Sequence, residues 1–258
     1  MSDTILLKVE DGLAHVTLNR PARLNAMDFE MGERWREVAR EATSDPSVGA
    51  VLLDAAGPAF CAGGDVVAMA TSGAAGEAVT ATARVIHEGI RTLVTSDRPV
   101  VAAVQGAVAG GGLGLMLTAD YVVAAPGASF VSRYANVGLT PDLGVSTLLP
   151  AAIGERRALQ LLLRDRALTA AEALDWGLVA ELADEPGARA REVAASWLGG
   201  ATAAFGQAKR LVRTGADRPF AEGLDDEAVT IGRAFDTEAS RTRVAAFAAA
   251  SLRRTEDR

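Results

Sequence analysis

Two glycine-rich turns are the strongest candidates for chemistry in the sequence. The first contains Gly63 and Gly64 and the second contains Gly110 and Gly111, and each follows a short apolar segment and precedes a helical pattern. Glycine lets the backbone adopt positive φ and lets a ligand approach it closely. The free N–H groups in the first turn of a helix, together with the helix dipole, favour a negative oxygen. Two such groups aimed at one oxygen form an oxyanion hole, but spacing alone leaves open that both are close-packing turns without a ligand.

Three side chains elsewhere are also candidates, and each has a simpler alternative. Asp142 follows Pro141 in a loop, where an aspartate is frequently a turn or helix N-cap residue. His87 falls in a helical pattern, where a lone histidine is more often a packing or surface residue than a catalyst. Cys61 lies next to the first glycine turn and is interpreted as a small apolar packing residue rather than a nucleophile.

Composition and motifs argue against several classes of function. A net charge of −7 over 258 residues disfavours general binding to nucleic acid. One cysteine and two histidines are too few for a Cys/His zinc cluster. The composition leaves a carboxylate-based metal site open, but no metal ligand is assigned. Neither glycine turn is a phosphate-binding loop, because no Gly-Lys-Ser/Thr is present and Leu115 and Leu117 break the Gly-x-Gly-x-x-Gly spacing. The N-terminus has no secretory signal, and the apolar run over 99–118 is interpreted as a strand, a turn and a helix start. We therefore expect a cytoplasmic protein without a membrane partner.

The elements that position these residues alternate between short strands and helices. A hairpin is predicted over residues 4–19 around Asp11-Gly12, and Asp28 is predicted to cap a helix that runs to Ala42. The other expected elements are strands at 50–53, 100–104, 121–124 and 129–131, helices at 79–94 and 111–119, a loop at 138–144, and helices from 145 almost to the end. This alternation predicts an α/β fold. A change of composition near Gly199 predicts a core over residues 1–198 and a C-terminal helical subdomain over residues 199–258.

Four segments of the chain, in this order, resemble the signature segments of the enoyl-CoA hydratase/isomerase (crotonase) superfamily. The segments are Leu18-Asn19-Arg20-Pro21 with Leu24-Asn25-Ala26-Met27, then Phe60-Cys61-Ala62-Gly63-Gly64-Asp65, then Pro99-Val100 through Gly110-Gly111-Gly112, and finally Ala167-Leu168 through Trp176-Gly177-Leu178-Val179. Together they span nearly the whole chain. The resemblance implies a crotonase-like spiral of ββα repeats with a C-terminal helical part that packs in a homotrimer, often as a dimer of trimers.

The resemblance also implies an acyl-CoA thioester as substrate and assigns a role to several residues. The oxyanion donors are expected to be the N–H groups of Gly64 and Gly111. The backbone that contacts CoA is expected at Ala22, Arg23 and Ala62, and Asp65 is expected to cap and orient the loop. No separate cofactor is implied, because coenzyme A is part of the substrate.

The residues around these turns favour an isomerase over a hydratase. The family's hydratases activate water with two glutamates, and Gly114 and Tyr134 stand in those places here. The segment Gly138-Leu139-Thr140-Pro141-Asp142-Leu143-Gly144 resembles the loop of the enoyl-CoA isomerases whose base is this aspartate. Moving a double bond from C3 to C2 needs one base and an oxyanion hole, and apolar neighbours make a carboxylate more basic. Leu139 and Leu143 are expected to supply that apolar surrounding, and fatty acid metabolism is the expected setting.

Two alternatives remain open at this point. The superfamily's 4-chlorobenzoyl-CoA dehalogenases have a histidine at the place of His87, an aspartate nucleophile at the place of Asp142 and a tryptophan at the place of Tyr134. In that case Asp142 attacks the ring carbon and His87 activates water to hydrolyse the ester. Independently of this choice, Tyr134 either hydrogen-bonds the substrate or lines the acyl pocket. Alternatively, the absence of both glutamates is typical of a non-catalytic CoA-binding subunit, for which Asp142 would have no purpose.

Overall fold

The structure is a computed structural model that describes residues 4–73, 75–215 and 218–256. Strands and helices alternate over most of the described chain, and helices follow to its end. The strands are β1 (Ile5–Glu10), β2 (Leu13–Leu18), β3 (Ala50–Ala55), β4 (Val100–Val104), β5 (Ala107–Ala109), β6 (Tyr121–Ala124), β7 (Ser129–Val131), β8 (Leu168–Thr169) and β9 (Glu181–Leu182). The helices are α1 (Phe29–Ser44), α2 (Val66–Thr71), α3 (Gly76–Thr95), α4 (Gly111–Met116), α5 (Val145–Ile153), α6 (Glu155–Leu163), α7 (Ala170–Trp176), α8 (Pro186–Leu198), α9 (Thr202–Gly215), α10 (Phe220–Phe235) and α11 (Glu238–Glu256).

The larger sheet has the strand order β1-β2-β3-β4-β6-β9. β1 and β2 form the predicted antiparallel hairpin, and the other neighbours in this sheet are parallel. Every residue of β4 is buried, as expected for a central strand covered on both faces. One face packs on the main core, and the other packs on α8 through Leu52, Val101 and Val193.

The smaller sheet has the order β5-β7-β8 and carries the second glycine turn. The chain passes from β4 into β5 at Gly106, where φ is +58° and a β-carbon would lie 2.0 Å from the carbonyl oxygen of Pro58. Only glycine fits there. This crossing places the end of β5 beside the segment that begins at Phe60, whose N–H donates to the Gln105 carbonyl at 2.8 Å.

Helices α1 and α3 pack together against the core beside the sheet. α1 begins as predicted at Asp28, whose side chain accepts the Met31 N–H at 2.9 Å. A β-carbon on Gly89 would lie 2.6 Å from the Trp35 ring, so this glycine sets the close approach of the two helices. α3 thereby has a fixed position from which it reaches the site.

Several predicted boundaries were wrong, and several short elements were missed. α3 starts at Gly76 rather than at Val79, and α4 ends at Met116 rather than at Ala119. The short elements α2, β5, β8 and β9 were not predicted. Residues 106–112 were predicted to form a turn, and β8 and β9 interrupt the region that was predicted to be helical. Two-residue strands have no periodicity of their own, and they exist here because they pair with β7 and β6.

Helices α9, α10 and α11 form the helical C-terminal part. The buried Lys209 of α9 donates to the carbonyl oxygens of Leu93 and Arg98, each at 2.7 Å, and pairs with Asp120 at 3.1 Å. α9 is thus tied to the core, and the predicted division at residue 199 stays a prediction. No helix within the described residues is long and apolar enough to cross a bilayer.

Candidate active site

The two glycine turns lie side by side. Ala109 N–H donates to the Cys61 carbonyl at 2.9 Å and Cys61 N–H donates to the Ala107 carbonyl at 3.2 Å, which joins the two segments in parallel. Gly63 adopts φ of +99°, and a β-carbon there would lie 3.3 Å from the Gly111 nitrogen. A side chain at this position would therefore intrude between the turns.

The N–H groups of Gly64 and Gly111 are both without an acceptor among the residues that the structure describes. Gly111 is the first residue of α4, where a helix leaves its N–H groups unpaired. The backbone around Gly64 pairs with Met27 on both sides of it. Met27 N–H donates to the Gly63 carbonyl, and Asp65 N–H donates to the Met27 carbonyl, so this pairing does not use the Gly64 N–H. Two adjacent turns therefore present free donors, which is the arrangement that an oxyanion requires.

Gly114 has no room for any side chain. A β-carbon there would lie 1.9 Å from the carbonyl oxygen of Leu143, so loop backbone fills the space. The same holds at Gly112, where a β-carbon would lie 2.3 Å from the Cys61 carbonyl oxygen. The place where the resemblance expects a glutamate is thus filled by the backbone of Leu143. We call residues 138–144, to which Leu143 belongs, the aspartate loop.

Asp142 of the aspartate loop lies next to the second glycine turn. Its Oδ1 is 3.6 Å from the point that a β-carbon on Gly111 would occupy. The buried Tyr134 hydroxyl donates to the same Oδ1 at 2.6 Å. Burial, and then the adjacent Asp142 charge, raise the pKa of Tyr134 well above its usual range. Tyr134 is therefore a neutral donor, and it orients the carboxylate.

His87 contacts the aspartate loop from α3. Its Nε2 accepts the Leu143 N–H at 3.1 Å, so the lone pair of that nitrogen is occupied. Leu143 is buried and adopts φ of +48°, a left-handed conformation that leucine disfavours. The prediction for Leu139 was wrong: it is 48% exposed, because it lies on the outer side of the loop, and only Leu143 faces the interior.

A cavity of about 30 Å³ lies beside Gly64 and Asp142. Its apolar wall is formed by Met27, Phe29, Met69, Val79, Ala83 and Ile86. The sequence reasoning missed most of these residues, although the apolar stripe of α3 was a usable signal. Met69 lies on α2, and Val79, Ala83 and Ile86 lie on α3, so these residues line the cavity because of where the two helices pack.

The segment with Ala22 and Arg23 is a short 3-10 helix, Pro21–Arg23, on the surface beside the first glycine turn. Its end is tied to that turn, because the Ala62 N–H donates to the Leu24 carbonyl at 3.0 Å. Asn25, which is fully buried, anchors the same segment by donating to the Ala59 carbonyl at 2.9 Å. The exposed backbone of Ala22 and Arg23 thus lies close to half-buried Ala62, as contact with one ligand requires.

Asp65 caps α2, because its Oδ1 accepts the Ala68 N–H at 3.0 Å. Arg20 pairs with both Asp65 at 3.3 Å and Asp28 at 2.8 Å, and so joins the caps of α2 and α1. The Ala68 hydrogen bond first, and then Arg20, lower the pKa of the buried Asp65 carboxyl. Sequence reasoning gave Arg20 no role, since nothing local shows which carboxylates it meets.

The remaining reactive side chains have structural surroundings. Cys61 is fully buried, and burial raises the pKa of its thiol to about 12, so it is not a thiolate nucleophile. His15 pairs with Asp54 at 2.7 Å, on the larger sheet. No cluster of three or more His, Cys, Asp or Glu side chains suited to a metal occurs in the described part of the chain.

Comparisons with known proteins identify the family of the chain. The family model described as Enoyl-CoA hydratase/isomerase matches residues 8–251. The 1,2-epoxyphenylacetyl-CoA isomerase of Escherichia coli K12 is 36% identical over 72% of this chain and 71% of its own length. The 4-chlorobenzoyl coenzyme A dehalogenase-2 of an Arthrobacter species is 31% identical over 84% of this chain and 80% of its own length. The crystal structure of an enoyl-CoA hydratase from Polaromonas sp. JS666 superposes with a TM-score of 0.89 at 30% identity, covering 95% of this chain and 96% of the other.

Proposed function

The chain belongs to the enoyl-CoA hydratase/isomerase family and has its fold, and from this premise we propose that it converts 3-enoyl-CoA into 2-enoyl-CoA. One observation carries the proposal. The Asp142 carboxylate lies beside Gly111, whose N–H is free, and Asp142 lines the same cavity as Gly64. Gly114 and Tyr134 leave no second carboxylate at these two places for activating water.

The proposed mechanism needs one base and two donors. The thioester oxygen accepts hydrogen bonds from Gly64 and Gly111, which stabilise the negative charge that forms on it. Asp142 removes a proton from C2, the electrons shift to give a dienolate, and the same carboxyl returns a proton at C4. Tyr134 holds Oδ1, so Oδ2 is the atom that carries the proton.

The proposal also covers how the substrate is held. Ala22, Arg23 and Ala62 contact coenzyme A through the backbone, Asp65 orients the first turn, and the apolar cavity between α2 and α3 takes the acyl group. Coenzyme A enters as part of the substrate, so no other cofactor takes part. We place the protein in the cytoplasm, in fatty acid metabolism.

A test compares the chain with its Asp142→Asn variant. Offered a 3-enoyl-CoA, the wild type should produce the conjugated thioester, which is followed by its absorbance. Asparagine keeps an oxygen for the Tyr134 hydroxyl but is not a base, so we expect a loss of about 10²–10⁴-fold, the usual contribution of general acid–base catalysis. Asp11→Asn is the matched control, since Asp11 is exposed in the β1–β2 turn at φ of +50°, where asparagine is well tolerated.

Different outcomes of this assay would support the two alternatives. Chloride release from 4-chlorobenzoyl-CoA without isomerisation, with a severe loss in His87→Gln, would favour dehalogenase chemistry that uses Asp142 and His87. The observation behind this alternative is that His87 contacts the aspartate loop directly. Binding of coenzyme A with no turnover of any enoyl-CoA would favour a non-catalytic subunit.

A further inference from the structure

We propose that His87 is a positioning residue that holds the aspartate loop over Gly111 by accepting the Leu143 N–H at Nε2. This inference rests on the proposed isomerase function, because it gives His87 no contact with the substrate. It differs from the alternative in which His87 activates water. The two roles differ in the use of the Nε2 lone pair. In the structure Nε2 accepts a hydrogen bond from the backbone N–H of Leu143, the residue after Asp142.

Leu143 is held in an unfavourable backbone conformation. Its φ of +48° lies in the left-handed region, where a leucine side chain crowds its own backbone. Such a residue keeps this conformation only when its surroundings hold it. The Leu143 N–H has His87 Nε2 as its acceptor at 3.1 Å, and the two residues are 56 positions apart in the sequence. The hydrogen bond from α3 is therefore one of the contacts that fix this peptide group.

Leu143 also packs the aspartate loop against the second glycine turn. A β-carbon on Gly111 would lie 2.6 Å from Leu143 Cδ1, and one on Gly114 would lie 1.9 Å from the Leu143 carbonyl oxygen. Because Asp142 directly precedes Leu143, a shift of this peptide group moves the carboxylate relative to Gly111. A displacement of about 1 Å near reacting atoms can cost about 100-fold in rate.

The hydrogen bond requires one tautomer of the His87 ring. Nε2 can accept only when it carries no proton, so the neutral ring must carry its proton on Nδ1. The helix that presents the ring is itself fixed, since Gly89 allows α3 to pack directly against Trp35 of α1. His87 thus offers the loop an acceptor at a fixed point.

The kinetic test uses His87→Leu, which removes the acceptor, and His87→Gln, whose Oε1 replaces Nε2. We expect kcat for 3-enoyl-CoA isomerisation to fall about 10- to 100-fold in the leucine variant, with KM changed by less than about 2-fold. The glutamine variant should recover most of that loss. The other histidine provides the control: His15→Gln lies outside the site and should keep the wild-type kcat and KM. Wild-type kcat in His87→Leu, or equal losses in the leucine and glutamine variants, would overturn the proposal.

A second measurement on the wild type is independent of turnover. The chain has two histidines, so the ring nitrogens of His87 can be assigned by NMR through comparison with His87→Gln. We expect the Nδ1–H tautomer for His87, and an Nε2–H tautomer would contradict the proposal even if the leucine variant fails to fold. If the wild type does not isomerise, the proposed function fails, and the tautomer alone then decides the role of His87.

Discussion

At the scale of residues, the proposed isomerase chemistry depends on three positions around Asp142. Gly114 lies under the Leu143 carbonyl, so no side chain can approach from that direction. The Tyr134 hydroxyl donates to Asp142 Oδ1. Asp142 is left as the carboxylate beside the free N–H of Gly111, and one carboxylate is enough to take a proton and return it.

The first residue-scale prediction concerns Gly114→Ala. An alanine in a helix is normally worth up to about 1 kcal/mol relative to glycine, but here its methyl group would meet the Leu143 carbonyl oxygen. We expect the clash to win, lowering the free energy of unfolding by about 1–3 kcal/mol and displacing Asp142. Thermal unfolding and the isomerase assay measure the two effects. Gly127→Ala is the control, because nothing lies within 4 Å of a β-carbon there, and equal stability of both variants would contradict the prediction.

At the scale of elements, α2 joins the oxyanion turn to the cavity wall. Its N-cap, Asp65, directly follows Gly64, and its Met69 lines the cavity. Arg20 links this cap to Asp28, the cap of α1. The first turn of α2 is therefore held by a hydrogen bond and a shared ion pair, and Gly64 is held with it.

The element-scale prediction is that Asp65→Ala destabilises the protein in a pH-dependent way. Loss of a buried cap should lower the free energy of unfolding by about 1–2 kcal/mol at pH 7. Because folding lowers the pKa of Asp65, its contribution is complete above the pKa of the unfolded state, about 4, and disappears as the pH falls through the folded value. The difference between wild type and variant in urea unfolding should therefore shrink below about pH 4.

The control for this measurement is the exposed Asp184, which lies outside the site. Asp184→Ala should unfold like the wild type at both pH 7 and pH 3.5. A difference between Asp65→Ala and wild type that stays constant with pH would show that the ionised cap is not the cause.

At the scale of the whole molecule, the C-terminal helices leave large apolar side chains uncovered in the single chain. Phe220, Ile231 and Phe247 are 82%, 72% and 76% exposed, respectively, and lie on α10 and α11. Exposed apolar groups at this density are typical of an interface between proteins. They fit the expected role of the C-terminal part in a homotrimer.

The prediction at this scale is the mass of the protein in solution. Light scattering should give about 80 kDa, three times the 26.6 kDa chain, or twice that value for a dimer of trimers. Phe247→Asp should shift the mass toward the single chain, because a charge at an apolar interface is costly to bury. Leu6→Asp on β1, also an exposed apolar position, should leave the mass unchanged. A wild-type chain that is a monomer at micromolar concentration would refute the trimer.

Features that depend on the backbone conformation of a few neighbouring residues were predictable from the sequence. Gly63 and Gly110 adopt positive φ, and Gly111 lies against Leu143, where a β-carbon would be 2.6 Å from Cδ1. Such a requirement shows directly in the residue type. The hairpin around Asp11-Gly12 and the cap at Asp28 were confirmed for the same reason. These features involve residues a few positions apart, so sequence order already contains them.

The tertiary structure decided what surrounds Asp142. Several features of the site depend on contacts between distant parts of the chain. They are the backbone that fills the space at Gly114, the direction of His87 Nε2, the exposure of Leu139 and the two carboxylates that pair with Arg20. The short elements α2, β8 and β9 were missed for the same reason. Residue types and spacing limit which groups can react, but packing fixes their distances and orientations, and proton transfer depends on those.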